Sequence, residues 1–338
     1  MSNDLKAAVI GLGVGTRHIT SYNEHPHCNV DIVCDFEQNA LDKISEKMPS
    51  LRTTKYADEV INDPNVNILS IASYDHYHAE QVVNALEQGK HVFVEKPLCM
   101  NRKELDLIIS TLNKYPQSNL SSNLILRQSP RFIELKKRIE KGLLGETYHF
   151  EGSYDYGRLS KLTEGWRGSV PNYSVTHGGA IHLIDLILWL SGKKAISAQA
   201  VGNKIPTQNS QFKGFSLTSA IIEFEDGSTA QITSNFASLT PHHHKLCVYG
   251  TSGTFEQSHL GAAYFHRREP EQPPEIVHTP YPGTPKGALL YDFIESILGD
   301  KEPLPSKREV LETMAVSLAI DESIKTHAKE SIAYPSLQ

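Results

Sequence analysis

Ala7-Ala8-Val9-Ile10-Gly11-Leu12-Gly13-Val14-Gly15-Thr16 decides the fold. Ala7 to Gly11 reads as a buried strand. Gly11 and Gly13 then supply a tight turn and a backbone that another group can approach closely. A helix that starts after such a turn aims its unpaired N–H groups and the positive end of its dipole above the turn, making an anion site without a basic side chain. Thr16 holds the position of the third glycine in the strict G-x-G-x-x-G fingerprint, and Gly15 beside it is expected to restore the close approach of helix to strand.

Working outward, Asp35 ends the second expected strand, Val30 to Asp35, and lies 20 residues beyond Gly15. A carboxylate there accepts hydrogen bonds from the adenine-side ribose of a dinucleotide and repels the extra phosphate of NADP. Phe36 follows where a 2'-phosphate would call for a basic residue. The expected cofactor is therefore NAD rather than NADP, against the plainer alternative of a capping or turn aspartate.

Further strands are expected at Ile68 to Ala72, His91 to Val94 and Leu120 to Leu124, with a helix from Ala79 that stops at Gly89. Strands alternating with helices build a parallel sheet covered on both faces. A helix from Pro130 to about Lys141 starts with proline, ends at Gly142 and leads out of this domain. Beyond Thr147 the pattern changes to alternating β-branched and aromatic stretches, as in Tyr148 to Tyr156 and Ser219 to Phe224. Asp226-Gly227 signals a tight hairpin, since both residues tolerate positive φ. Two late helices are expected near Lys286 to Leu298 and at Lys307 to Thr326. The expectation is an α/β protein: a doubly wound parallel sheet in residues 1–125, then an α+β domain with a large, mostly antiparallel open sheet in 126–338, its last helix free to pack back on the first domain.

Bulk properties narrow the function. A chain of 338 residues favours two domains, and 39% apolar with 21% charged residues is a globular composition. The net charge of -6 and the lack of a basic cluster argue against nucleic acid. The longest apolar run, Ile181 to Leu190, is interrupted by Asp185 and falls short of the ~20 residues that span a bilayer. Met1-Ser-Asn-Asp-Leu-Lys runs straight into a strand without a secretory leader, which gives a cytoplasmic expectation. Cys28, Cys34, Cys99 and Cys247 are scattered and read as reduced, buried thiols rather than metal ligands.

Lys90-His-Val-Phe-Val-Glu-Lys-Pro-Leu98 is a buried strand ending in Glu95-Lys96, locked by Pro97. A lysine at the carboxyl end of a parallel strand points into the crevice where such sheets bind ligands. An ammonium beside an alcohol lowers the cost of the alkoxide that forms as hydride leaves. Together with Gly11 to Thr16, Asp35 and Tyr74-Asp-His-Tyr-His-Ala-Glu80, this motif resembles the glucose-fructose oxidoreductase/inositol dehydrogenase/rhizopine catabolism (GFO/IDH/MocA) family over nearly the whole chain.

The resemblance implies a Rossmann domain in which Gly11, Gly13, Val14, Gly15, Thr16, Asp35, Ser73, His78, Glu95 and Lys96 hold the cofactor. It makes Lys96 the contact to the substrate hydroxyl and nicotinamide ribose, with Pro97 often following a cis bond. It matches His182 and Asp185 to the family's His-x-x-Asp, with His182 as acid/base or hydroxyl contact. Three apart on a helix, the two share a face, so the carboxylate can orient the imidazole, against the plainer alternative of a core histidine and a structural hydrogen-bonding aspartate. The family's aspartate four residues earlier is replaced by Gly178, leaving Tyr173 or His177 to stand in or simply to line the pocket. Trp166 and Arg167 are candidates to stack on a sugar and bind a carboxylate or phosphate, and Arg127 and Arg131 are candidate pocket cations.

His242-His-His244 is expected to be a loop before a strand, because consecutive residues on extended chain alternate faces and cannot all reach one ion. No metal and no nucleophile elbow is expected. The resulting expectation is an enzyme that moves hydride between NAD and a secondary hydroxyl of a sugar, polyol or nucleotide sugar, as a homodimer or homotetramer. The alternatives are a non-catalytic NAD(P)-binding sensor and an NAD-dependent glycosidase that oxidises its substrate transiently.

Overall fold

The computed structural model describes residues 5–269, 271–284, 287–299 and 301–337. The chain divides into two compact units, Met1–Asn123 with Pro285–Glu312 and Pro335–Gln338, and Leu124–Thr284 with Thr313–Tyr334.

In the first unit β1 (Leu5–Ile10), α1 (Gly15–Asn23), β2 (Cys28–Cys34), α2 (Gln38–Lys47), β3 (Arg52–Thr54), α3 (Ala57–Ile61), β4 (Ile68–Ile71), α4 (His78–Glu87), β5 (His91–Val94), α5 (Arg102–Lys114) and β6 (Leu120–Ser122) follow one another. The strands pair in parallel in the order β3-β2-β1-β4-β5-β6. That order reverses direction between β1 and β4, and doubly wound sheets bind ligands outside the carboxyl ends of the strands at such a switch. Ala8, Val9, Leu69, Ile71, Phe93 and Val94 are fully buried, as strands covered on both faces require. The short edge strand β3 was missing from the sequence expectation. Its three residues, Arg52-Thr-Thr, carry no readable period, and Arg52 is instead held by Asp31 and Asp63.

The second unit runs through α6 (Pro130–Glu140), β7 (Thr147–Asp155), α7 (Ser160–Thr163), α8 (Ile181–Ser191), β8 (Ala195–Asn203), β9 (Leu217–Phe224), β10 (Thr229–Asn235), β11 (His243–Gly250), β12 (Thr254–Ser258), β13 (Gly261–Phe265) and β14 (Glu275–Ile276). After α9 (Ala288–Leu298) and α10 (Lys307–Thr326), β15 (Glu330–Ser331) completes a nine-stranded sheet in the order β14-β13-β12-β11-β7-β10-β9-β8-β15. All its pairings are antiparallel except β7 with β10. Phe150 and Tyr154 point into the core on either side of Gly152, whose missing side chain lets Leu183 of α8 settle on the strand: a Cβ there would lie 3.3 Å from Leu183 Cδ1.

The expected hairpin at Asp226-Gly227 joins β9 to β10, with one difference. Gly227 alone takes a positive φ, +85°, while the Asp226 carboxylate accepts from the Ser228 N–H at 3.0 Å and pairs with Lys193 at 2.7 Å. A carboxylate committed to the turn and to a lysine fixes Asp226 without left-handed backbone.

The segment holding α9 belongs to the first unit, where Phe293 meets Phe93 with ring centroids 5.6 Å apart. Lys286, expected to begin this helix, lies outside the described residues. Among the described residues no helix is long and apolar enough to cross a membrane.

Candidate active site

The glycine turn sits at the carboxyl end of β1. Gly11 has φ +91°, and a Cβ on it would lie 2.3 Å from the Ala72 carbonyl oxygen, so β1 and the loop after β4 approach as only glycine permits. Around Gly13 the space is open, with nothing within 4 Å of an added Cβ. A Cβ on Gly15 would meet Val9 Cγ1 at 2.7 Å. Gly15 thus gives the close helix-to-strand packing that the fingerprint normally assigns one position later. Thr16, free of that duty, turns its hydroxyl to the Gly13 carbonyl at 3.0 Å.

Asp35 is tied to the turn it serves. Its Oδ2 accepts from the Leu12 N–H at 2.7 Å and its Oδ1 from the Glu37 N–H at 2.9 Å. A carboxylate has about four acceptor sites, so lone pairs remain for ribose hydroxyls. A hollow of about 380 Å³ opens beside it, lined among others by Leu12, Thr16, Asn39 and Lys43. Open backbone at Gly13, the first-turn N–H groups of α1 and a carboxylate with acceptor capacity together fit a dinucleotide's pyrophosphate and ribose.

Glu95 and Lys96 follow β5 directly, and the Lys96–Pro97 bond is cis. Asn123 donates to Glu95 Oε1 at 2.6 Å, and His18 Nε2 lies 3.3 Å from the same oxygen. Burial works to raise the Glu95 pKa, but the bonds to His18 and Asn123 and the charges of His18 and Lys96 outweigh it and hold the carboxyl below its ordinary range. Glu95 therefore stays ionised and serves as a counter-charge for the ammonium next to it. His18, itself bonded to Ser70 at 2.7 Å, was absent from the sequence expectation, since a histidine one turn into α1 gives no signal of reaching β5.

His78 is placed differently from the expectation of direct cofactor contact. His78 is completely buried, with Nδ1 donating to the Pro97 carbonyl at 2.6 Å and Nε2 3.1 Å from the Ser73 carbonyl. With no accessible surface, its part is to join the loop after β4 to the Glu-Lys-Pro loop. The Ser73 hydroxyl donates to Gln81 at 2.7 Å.

In the second unit a π-helical turn, Thr176–Ala180, leads into α8, and such turns re-aim the residues that follow. His182, 9% exposed, lies among Tyr154 and His244, with ring centroids 6.3 Å and 5.9 Å away. His244 is bonded through Nδ1 to the Tyr281 hydroxyl, and His242 stands 5.5 Å from His244. The alternation that argues against a three-histidine metal site also puts His242 and His244 on one face and His243 on the other. His243 lies 3.7 Å from Asp155, away from this group. Sequence reasoning used that alternation to dismiss the triplet and so missed His244 beside His182 and His242 beside His244. Among the described residues no three or more His, Cys, Asp or Glu side chains are grouped so as to hold a metal ion.

Asp185 has a charged partner beyond its own helix. It is completely buried and takes the Arg127 guanidinium, Nη2 at 2.7 Å and Nε at 2.9 Å, with Thr313 donating at 3.3 Å. This corrects the expectation for Arg127: 2% exposed, it neutralises Asp185 inside the fold instead of offering charge to a substrate, and Asp185 is the structural hydrogen bonder of the plainer alternative. His177 is likewise buried and engaged, with Ser317 2.7 Å from Nδ1 and Asp321 3.1 Å from Nε2. Its imidazole fastens the π-helical turn to α10 and is not presented to a pocket. Arg131 donates to the Thr279 carbonyl at 2.6 Å and lies over the Tyr281 ring. Tyr173 is the residue that fills the place beside Gly178, its hydroxyl accepting from Arg167 Nε at 3.1 Å, and the Arg167 guanidinium lies 4.4 Å from the Trp166 ring centre.

The sheet order, the glycine turn and the tethered Asp35 define an NAD-binding oxidoreductase domain. Residues 5–120 match the oxidoreductase family with an NAD-binding Rossmann fold, and residues 132–256 match the GFO/IDH/MocA C-terminal domain. The chain belongs to the GFO/IDH/MocA family. It is 24% identical over 257 residues to a myo-inositol 2-dehydrogenase of Thermotoga maritima, covering 74% of each chain. The solved structure of a myo-inositol 2-dehydrogenase from Lactobacillus plantarum superposes with a TM-score of 0.84 at 21% identity, over 97% of this chain and 99% of that one. A levoglucosan dehydrogenase solved in complex with NADH gives 0.85 at 20% identity, over 98% and 99%.

Proposed function

We propose that this protein is an NAD-dependent dehydrogenase that oxidises a secondary hydroxyl of a sugar, polyol or nucleotide sugar, or reduces the matching ketone. The carrying observation is Lys96: an ammonium following β5 directly, beside a carboxylate kept ionised, in a unit whose glycine turn and Asp35 fit NAD. Relatives named as inositol and levoglucosan dehydrogenases support the substrate class.

When bound, NAD supplies the hydride acceptor. Lys96 is assigned to the reacting hydroxyl, where its charge lowers the cost of negative charge on oxygen as the C–H bond breaks. His182 is assigned to the hydroxyl proton, taking it during oxidation and returning it during reduction. Tyr154 and His244 pack around the His182 ring and limit its freedom, so its position is set before substrate arrives. The net reaction gives a ketone, NADH and one proton. Val201 and Ile221, exposed on the sheet face opposite the helices, support a homodimer or homotetramer, which light scattering on the purified protein measures.

The test is a screen of sugars, polyols and nucleotide sugars with NAD, followed by NADH absorbance. Turnover with one group of these is expected. Tight NAD binding with no turnover on any of them would contradict the reading.

A further inference from the structure

His244 is held in one protonation form by the residues packed around it. The Tyr281 hydroxyl meets it twice, accepting from its backbone N–H at 3.2 Å and lying against Nδ1 of its ring. A phenol has one proton to give. If Nδ1 donated, the Tyr281 oxygen would accept twice, and its own proton would have no acceptor among the described residues. With Nδ1 accepting, both contacts are matched, so His244 is neutral and carries its proton on Nε2. Burial pushes the Tyr281 phenol up, against the pull of the His244 amide and the Arg131 charge, and so keeps that proton on the phenol.

Arg131, 8% exposed on α6, stands behind Tyr281 with its guanidinium 5.4 Å from the ring centre. Its hydrogen bonds go to two neutral oxygens, Gln257 Oε1 at 3.2 Å and the Thr279 carbonyl at 2.6 Å, while Arg138 takes Glu134 at 3.2 Å. A buried cation held by neutral oxygens keeps its field and opposes a further positive charge on His244. The guanidinium also orients Gln257. With Oε1 toward Arg131, this completely buried amide turns Nε2 to the His244 carbonyl at 2.7 Å. The His244 backbone is thus held at its carbonyl by Gln257 and at its N–H by Tyr281.

The His244 ring also faces Tyr154 of β7 at 5.1 Å, His242 at 5.5 Å and His182 of α8, which it meets edge to face at 5.9 Å. The charges of Arg158 and Arg167 reach Tyr154, while Asp155 and His243 lie 3.7 Å apart on the opposite face of the sheet. His182 Nδ1 and His244 Nε2 are both closed off from solvent. A base that takes a hydroxyl proton becomes a cation, and a cationic His244 ring 5.9 Å away would oppose that step.

We propose that Tyr281 and Arg131 are positioning residues that hold His244 neutral, protonated on Nε2, so that His182 takes the substrate's hydroxyl proton with no second positive charge against its ring. This rests on the dehydrogenase reading above and adds to it the residues that keep the proton acceptor usable.

The experiment is nuclear magnetic resonance of the full-length protein with isotopically labelled histidine, the two signals being assigned from His182→Gln and His244→Gln. In the parent protein His244 should show the neutral form with its proton on Nε2, and as the pH falls His182 should take up a proton before it. Tyr281→Phe should let a second His244 tautomer appear. Arg131→Gln should raise the pH at which His244 takes up a proton by about half to one unit, and Arg131→Lys should restore it. A His244 that is cationic at neutral pH, carries its proton on Nδ1 or is protonated before His182 overturns the proposal in the parent protein, whether or not the variants fold. A single unchanged tautomer in folded Tyr281→Phe, or an unchanged titration in folded Arg131→Gln, overturns it as well. NADH formation in the substrate screen is read separately. The expected His244 behaviour without NADH from any compound would count against the dehydrogenase reading alone, and NADH formation beside a cationic or Nδ1-protonated His244 would count against this one alone.

Discussion

Tyr173 places its hydroxyl 1.9 Å from where a Cβ on Gly178 would begin. Residue 178 is the position at which the family's aspartate is expected, so Tyr173 occupies the space a carboxylate would need. Gly178→Asp should therefore overpack the turn before α8 and cost about 1–3 kcal/mol in chemical unfolding. Tyr173→Ala combined with Gly178→Asp should recover part of that loss, and a double variant no better than the single one would show that Tyr173 is not the obstacle.

The Arg127–Asp185 pair makes an opposite prediction about a residue that looks catalytic. Both partners are buried, so Arg127→Ala leaves an uncompensated charge and should destabilise the protein by about 3–5 kcal/mol. Thermal and denaturant unfolding read this directly. An Arg127→Ala protein of unchanged stability that has lost only turnover would return Arg127 to the substrate pocket.

The glycine turn separates fold from ligand. Gly13→Ala adds a methyl into open space and should leave the unfolding midpoint unchanged while weakening NAD about tenfold or more, because the backbone there must approach the pyrophosphate. Gly15→Val drives side-chain atoms into Val9 and should lower the midpoint itself. Calorimetry and NAD titration on both variants give the comparison, and a Gly13→Ala protein with intact NAD affinity would remove Gly13 from the site.

Much of this was legible in the sequence wherever a local rule sufficed. The strand ending at Ile10, the glycines, Asp35 and the Glu-Lys-Pro loop each announce themselves within a few residues. Gly15 in place of a later glycine was also readable, because helix-to-strand packing is decided one turn from the strand. What stayed hidden depends on distant partners. His18 reaches Glu95, 77 residues away in sequence, and Asp185 takes the Arg127 guanidinium, 58 residues away, because a buried carboxylate needs a full positive charge. His244 meets His182, and His242 meets Tyr154, because β11 lies beside β7 in the sheet.

Acid should act on Glu95 with a definite sign. Its carboxyl is held below the ordinary value of 4.5, so it contributes stability that is complete above that value and lost as the pH falls through the depressed one. His18→Leu removes one of the partners holding it down. The acid limb of the melting temperature against pH should then begin at higher pH than in the parent protein, and superimposable curves would exclude the His18 contact as a stabiliser of the charge.

The most direct test of the account is Lys96→Met, measured as the rate of NADH formation in a single turnover with the substrate found in the screen. The account predicts a fall of about 10²–10⁴-fold in that rate, with NAD affinity within a few fold of the parent protein. Full-rate NADH formation by the Lys96→Met protein would contradict it.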